Sequence, residues 1–167
     1  MENAALDRAR STPRRRRQRA LPASPLRSVP AVREPSLMQA RGYQKADLMA
    51  AAELGYHYLF SGAHELARAI FEGLTAIDPM ESYFFLALGF ALDRQGERAD
   101  AHRAYERAAK LDTSDPRPDL NRAELFLAEG DRRLAKKLLT RGLAKAVRHD
   151  EAALENKARA VLALIGV

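Results

Sequence analysis

Residues 82–115, SYFFLALGFALDRQGERADAHRAYERAAKLDTSD, decide the fold, because the segments on either side of this stretch match it in register. Glycine recurs between the apolar segments at an interval equal to the length of this stretch. Three further sets of equivalent positions recur at the same interval. The four sets are Gly62, Gly96 and Gly130; Gly55, Gly89 and Ala123; Ala67, Ala101 and Ala135; and Phe71, Tyr105 and Leu139. Four classes of position that hold one period over three copies indicate a structural repeat rather than an ordinary helical bundle.

The interval from Gly62 to Gly96, and again from Gly96 to Gly130, is the period of the tetratricopeptide (TPR) unit, a pair of antiparallel helices. Small residues on each helix let the pair approach closely, and the glycine between them can adopt the left-handed conformation that ends a helix. Pro79 stops the second helix of the first repeat, and Asp112 to Pro116 form a cap-rich turn. We therefore predict an all-α fold in which a folded region, residues 44–146, holds three tandem TPR repeats at about 48–81, 82–115 and 116–146.

Apolar periodicity and turn residues give the helix bounds. The predicted helices are residues 44–60, 64–76, 81–94, 97–110, 116–128, 131–145 and 150–165. The last of them carries Leu154, Ala158 and Leu162 on one face. We predict that this C-terminal capping helix covers the open side of the third repeat, as a terminal element of a helical array must.

The first 36 residues have a different composition. They hold nine Arg against three acidic residues, five of the eight prolines and no aromatic residue. Such a segment cannot bury enough apolar surface to offset its chain entropy, so we predict a disordered Arg/Pro-rich tail at residues 1–36. The formal net charge of +6 belongs to this tail, since the rest of the chain is neutral. The run Arg14 to Arg19 leaves open a contact with nucleic acid or an anionic membrane.

Other chemistry finds little support. The chain has no cysteine, which excludes a disulfide framework, a thiolate metal site and a cysteine nucleophile. No apolar run approaches the length of a membrane span. The four histidines show no metal-ligand spacing, and the glycines follow the repeat rather than a phosphate-binding motif. We therefore expect a non-enzymatic protein without a cofactor or a metal ion.

The first helix of each TPR pair lines the concave side of an array, so its inward positions predict a peptide-binding groove that is aromatic in the first two repeats and mixed in the third. The predicted groove residues are Met49, Tyr56, Leu59, Phe60, Tyr83, Leu86, Phe90, Arg117, Leu120, Glu124 and Leu127. Apolar side chains rimmed by charge suit a peptide. The alternative is that these side chains pack internally. Ala52 and Tyr56 occupy the positions that carboxylate-clamp TPR domains use, which excludes that mode of binding.

Several stretches are more specific than a generic TPR. They include FFLALG at residues 84–89, Asp115-Pro116-Arg117, Ala123-Glu124 and Gly130-Asp131. With these, the segment from Ala52 to about Ala144 resembles the class II chaperones of bacterial type III secretion, the LcrH/SycD type. The chain departs from that family at Ala52, where an aromatic residue is common, and at Arg122, where a small residue is usual.

The resemblance implies a cytoplasmic bacterial chaperone that binds hydrophobic translocator proteins and keeps them soluble and secretion-competent. An extended client segment would lie in the concave groove against Tyr56, Leu59, Phe60, Tyr83, Leu86 and Phe90. Members of the family are often homodimers, so the resemblance also implies a homodimer. A general TPR scaffold for unrelated proteins, with the basic tail contacting nucleic acid or membrane, is the alternative function.

Overall fold

The computed structural model describes residues 42–166, so the tail predicted at residues 1–36 lies outside the described part of the chain. Residues 42–166 form seven α-helices and no strand. The helices are α1 Lys45–Phe60, α2 His64–Ile77, α3 Ser82–Arg94, α4 Arg98–Leu111, α5 Arg117–Ala128, α6 Arg132–Arg148 and α7 Ala152–Leu164. This architecture confirms the all-α prediction of three helix pairs followed by a C-terminal helix.

The turns inside the pairs follow from glycine. Gly62, Gly96 and Gly130 have φ angles of 84°, 81° and 84°, a conformation that other residues adopt only at a steric cost. Each ends the first helix of its repeat, and the second helix begins just after it. The predicted left-handed glycine is thus present in all three repeats.

Close contact within a pair depends on small residues of the first or second helix. A Cβ atom on Gly89 of α3 would lie 2.6 Å from the ring of Tyr105 in α4. A Cβ atom on Gly55 of α1 would lie 2.8 Å from the ring of Phe71 in α2. Tyr105 and Phe71 are 1% and 0% exposed, so each glycine makes room for a buried aromatic wedge.

The core is divided among the repeats rather than concentrated in one place. Three apolar clusters follow one another along the chain, and they contain Phe71, Tyr105 and Leu139 respectively. Ala158 of α7 is fully buried in the third cluster, where Leu154, Val161 and Leu162 of the same helix also pack. Helix α7 therefore caps the third repeat as predicted.

The helices form an inner and an outer layer. Consecutive helices pack along the whole described chain, and α1 also approaches α3, as α3 approaches α5. The first helices of the pairs thus form the inner side, which we call the concave face. The second helices, α2, α4 and α6, form the outer, convex face. No helix among residues 42–166 combines the length and the apolar character that crossing a membrane requires.

Candidate functional site

Aromatic side chains from α1 and α3 meet on the concave face. The ring of Tyr56 lies 5.6 Å from that of Tyr83, measured between centroids. It also lies 6.1 Å from the ring of Phe60 and 5.3 Å edge-on from the buried Phe71. Tyr56 and Tyr83 are half-buried, whereas Phe60 is 80% exposed at the end of α1. The structure therefore brings three predicted groove residues into one partly open aromatic surface.

Arg117 brings the third inner helix to the same surface. It is the first residue of α5, and while burial raises the pKa of Tyr56, the positive charge of Arg117 opposes part of that rise. Its guanidinium binds Asp115 through Nε to Oδ1 at 3.0 Å and Nη2 to Oδ2 at 2.8 Å. This forked ion pair fixes the Arg117 side chain and neutralises much of its charge.

Three predicted groove residues are part of the core. Leu59, Leu86 and Leu120 are 4%, 6% and 1% exposed, so they do not form open surface as predicted. Leu59 joins the cluster that includes residues of α3, because the inner helices stand close enough for a leucine to fill the space between them. Leu120 meets α6 at Gly142, where an added Cβ atom would lie 2.5 Å from a Leu120 methyl carbon. For these three positions internal packing, the alternative open at the sequence level, is what the structure shows.

The remaining predicted residues extend the surface in both directions. Met49 and Phe90 are half-buried and pack against the first core cluster. Glu124 is exposed and forms an ion pair with Lys157 of α7 at 2.7 Å. Leu127 is half-buried near the end of α5. The concave face is thus aromatic at the first two repeats and charged at the third.

Burial governs the tyrosine chemistry of this face. Burial raises the pKa of the Tyr56 hydroxyl well above its ordinary range, and the neighbouring Tyr83 raises it further. Burial likewise raises the pKa of Tyr105, which lies in the core of the second repeat rather than on this face. Both phenols therefore stay neutral at any physiological pH and keep a proton to donate.

Two acidic residues on this side also bear on the site. Asp115 orients Arg117, and the i to i+2 spacing in Asp-Pro-Arg was the available signal. Asp93, at the end of α3, has a raised pKa because burial disfavours its charge, while Arg94 and Arg98 oppose that effect. A single sequence gives no direct sign of such desolvation, since it depends on how the repeats stack.

Three stacked helix pairs with aromatic side chains on their inner helices define a helical-repeat protein of the TPR type. No protein-family model matches the chain. Among curated proteins it is similar to the low calcium response locus protein H of Yersinia pestis, with 32% identity over 78 residues, or 47% of this chain and 46% of that protein. The chain therefore matches about half the length of this curated relative.

Solved structures extend the similarity over most of the described chain. One is PcrH of Pseudomonas aeruginosa in complex with the chaperone-binding region of PopD, with a TM-score of 0.71 and 27% identity over 74% of this chain and 94% of that chain. Another is the type III secretion chaperone SycD of Yersinia enterocolitica with a peptide of the translocator YopD, with a TM-score of 0.68 and 26% identity over 73% and 94%. These similarities confirm the resemblance to class II type III secretion chaperones.

Proposed function

We propose that this protein is a chaperone of a bacterial type III secretion system that acts in the cytoplasm without catalysis. It binds hydrophobic translocator proteins through the concave face and keeps them soluble and secretion-competent. The observation that carries the proposal is the aromatic surface of Tyr56, Phe60 and Tyr83, left partly open where α1 and α3 meet. An apolar surface of this kind on a folded protein marks a site of interaction.

The comparisons support the nature of the client. SycD was solved with a peptide of the translocator YopD, and PcrH with the chaperone-binding region of PopD. The similarity to this chain covers 94% of each of those two chains. We transfer the class of client, a translocator segment, and not the details of any contact.

The concave face suits an extended peptide in two ways. Phe60, Phe90 and Tyr83 offer partly exposed rings, against which leucine-sized anchors can bury apolar area. The hydroxyl of Tyr56, kept neutral by burial, can donate to a backbone carbonyl of the peptide. Because an extended segment loses chain entropy on binding, a few such buried anchors must supply most of the affinity.

We assign the predicted residues two roles in this function. The contact surface comprises Met49, Tyr56, Phe60, Tyr83, Phe90, Arg117, Glu124 and Leu127. Leu59, Leu86 and Leu120 support that surface from within the core. Holding a client in this way needs no ATP, since binding lowers the free concentration of an aggregation-prone chain by mass action.

The first prediction concerns Phe90→Arg and Tyr56→Arg. Each places a charge in the aromatic surface, so we expect loss of at least about tenfold in client affinity, the equivalent of about 1.4 kcal/mol. The measurement is co-purification of the protein with a translocator of the same host, expressed together, followed by titration of the complex. Circular dichroism establishes that each variant remains helical.

The matched control is Leu66→Arg. Leu66 is 54% exposed and lies on α2, in the convex layer, so the same charge is introduced into apolar surface away from the proposed site. Client binding that survives both Phe90→Arg and Tyr56→Arg in folded protein, or that is lost equally in Leu66→Arg, would contradict the groove assignment.

A further inference from the structure

Two clefts occupy equivalent places on the convex face. The first lies between α2 and α4 and the second between α4 and α6, and each encloses about 370 Å³. In the first, apolar residues of α3 form the floor: Phe85, Leu88 and Leu92. In the second, Arg122 of α5 stands one repeat after Leu88, and Lys110 stands one repeat after Ala76. The floor of the second cleft therefore carries a cation where that of the first is apolar, while charged residues of both signs from α2 and α4 line the walls of the first cleft.

We call the second site the cationic cleft, which is lined by Glu106, Ala109, Lys110, Thr113, Arg122, Arg141 and Lys145. Its single lining carboxylate, Glu106, accepts from Lys110 at 2.7 Å and from Arg122 at 3.2 Å. These two cations hold the pKa of Glu106 below its usual range. Lys110 of α4 and Arg122 of α5 therefore share Glu106 as their counter-ion.

The two cations of α6 share a second carboxylate. Asp119 of α5 is 1% exposed and is bound by Arg141, through Nε at 2.8 Å, and by Lys145, through Nζ at 2.8 Å. Asp119 stands one repeat after Phe85, so it also replaces an apolar residue of the first cleft. Four cations thus meet these two carboxylates, and the nearby Asp112 also interacts with Lys145, so the cleft keeps a net positive charge.

Two of the four cations are partly buried, where a further anion would stabilise them. The side chains of Arg122 and Lys145 are 23% and 13% exposed, so their charges lose part of their hydration, whereas Lys110 and Arg141 remain largely in solvent. Arg122 retains an unused donor as well, because its Nε is buried and has no hydrogen-bond partner among the described residues. An excess of cations together with an unpaired guanidinium donor is the chemistry that recognises a carboxylate or another oxyanion.

We propose that the cationic cleft binds a carboxylate side chain from an acidic segment of a partner polypeptide. Charge complementarity selects the anion, and Ala109 with the methylene stems of Lys110 and Lys145 offers apolar wall to the side chain that carries it. A free phosphate ion has no apolar part to bury there. The site lies on the convex face, so it stands independently of client binding on the concave face.

The test follows the Nε–H resonances of Arg122 and Arg141 by nuclear magnetic resonance, in the full chain, as a tetraglutamate peptide is added. A local signal is needed because the nine Arg of residues 1–36 attract any acidic peptide. Tetraglutamine is the neutral comparison, and inorganic phosphate at equal ionic strength is the second anion. We expect both resonances to shift with tetraglutamate and not with tetraglutamine, and the shifts to weaken with added salt.

Two double variants test whether tetraglutamate binds in the cationic cleft. Arg122→Leu with Lys110→Ala installs the residues that stand one repeat earlier, Leu88 of the first cleft and Ala76, so the fold should tolerate the change. We expect the tetraglutamate affinity reported by Arg141 to fall at least about tenfold. The control is Arg133→Leu with Lys137→Ala, which removes two exposed cations of α6 that lie outside the cleft. It should change the tetraglutamate affinity by less than about twofold.

Three results would overturn the proposal. The first is an equal loss of affinity in the two double variants. The second is an Arg122 resonance that does not respond to tetraglutamate. The third is a response to phosphate alone, which would make the cleft a site for a small anion. None of these results bears on Phe90→Arg, so failure here and failure of the groove assignment are distinguishable.

Discussion

At the scale of single residues, the glycines of the helix pairs set how closely the helices approach. Gly89 faces the ring of Tyr105, where a Cβ atom would lie 2.6 Å from two ring carbons. Tyr105 is 1% exposed, so its ring cannot move aside without disturbing the residues packed around it. We expect Gly89→Ala to lower the free energy of unfolding by about 1–2 kcal/mol, because overpacking exceeds the gain in helix propensity. Urea denaturation measures this change.

Gly73 provides the matched control. It is an exposed glycine inside α2, and an added Cβ atom would meet nothing within 4 Å. Gly73→Ala should therefore raise the free energy of unfolding by about 0.5–1 kcal/mol through helix propensity alone. If both substitutions change stability in the same direction, close packing at Gly89 is not what determines the spacing of α3 and α4.

Among the charged residues, we expect the loss of Asp119 to lower the free energy of unfolding most. Asp119→Ala leaves Lys145, which is 13% exposed, without its carboxylate, while Arg141, at 51%, can turn to solvent. We expect a loss of about 2–4 kcal/mol in the free energy of unfolding, less than for a fully buried pair. Asp100→Ala, which breaks the exposed pair with Arg103, should cost under about 1 kcal/mol. Equal losses in denaturant titrations of the two variants would show that the buried ion pairs do not stabilise the third repeat.

The sequence predicts which helix carries a residue better than it predicts whether the side chain faces the surface or the core. Tyr56 and Tyr83 were placed correctly on one surface, because the repeat assigns both to inner helices. Leu59 and Leu86 belong to the same helices, yet neighbouring inner helices bury them. Burial of this kind depends on the stacking of successive repeats, which the pattern within one repeat does not contain. Asp119 was missed, although a charge aligned with Phe85 was a visible departure from the period.

At the scale of elements, α7 is the helix whose docking can be tested by one side chain. Ala158 is fully buried against α5 and α6, whereas Ala160, on the same helix, is exposed. We expect Ala158→Asp to undock α7 at a cost of about 2–4 kcal/mol, because a carboxylate cannot be buried there without a partner. Ala160→Asp carries the same helix-propensity change and should cost under about 0.5 kcal/mol.

Hydrogen exchange distinguishes undocking from general unfolding. With Ala158→Asp, the amides of α7 and of the adjacent α6 should lose protection first, while those of α3 keep theirs, because each repeat contacts only its neighbours. Uniform loss of protection along residues 42–166 would contradict a role for α7 as a local cap.

Helix ends were predictable wherever glycine or proline marks them. Helices α1, α3 and α5 each end just before a left-handed glycine, and their predicted ends agree with the structure. Helix α6 is different, since it continues to Arg148, beyond the end predicted at residue 145. No glycine stands there, and Asp150 takes the left-handed conformation instead, with φ of 57°. An aspartate in that role is less distinctive in a sequence than glycine, which is why the end of α6 was misplaced.

At the scale of the whole molecule, the two faces carry different chemistry on one scaffold. Tyr56 and Tyr83 give the concave face an aromatic surface, while Arg122 and Lys145 give the convex face of the third repeat an excess of positive charge. A helical array of this kind has no single core, so its stability is close to a sum over repeats and their interfaces. A ligand that spans α1, α3 and α5 therefore links parts that otherwise interact only through neighbours.

Client binding should consequently stabilise the whole described chain. A ligand that binds only the folded state adds about 2.7 kcal/mol at a concentration of 100 Kd. For a domain of this size that corresponds to a rise in Tm of roughly 8–14 °C. The measurement is a thermal melt with the client fragment that survives proteolysis of the co-purified complex. With Phe90→Arg the rise should disappear, while Leu66→Arg should keep it. A Tm that does not move for the unsubstituted protein, or that rises equally with Phe90→Arg, would show that the client does not bind the concave face of the folded array.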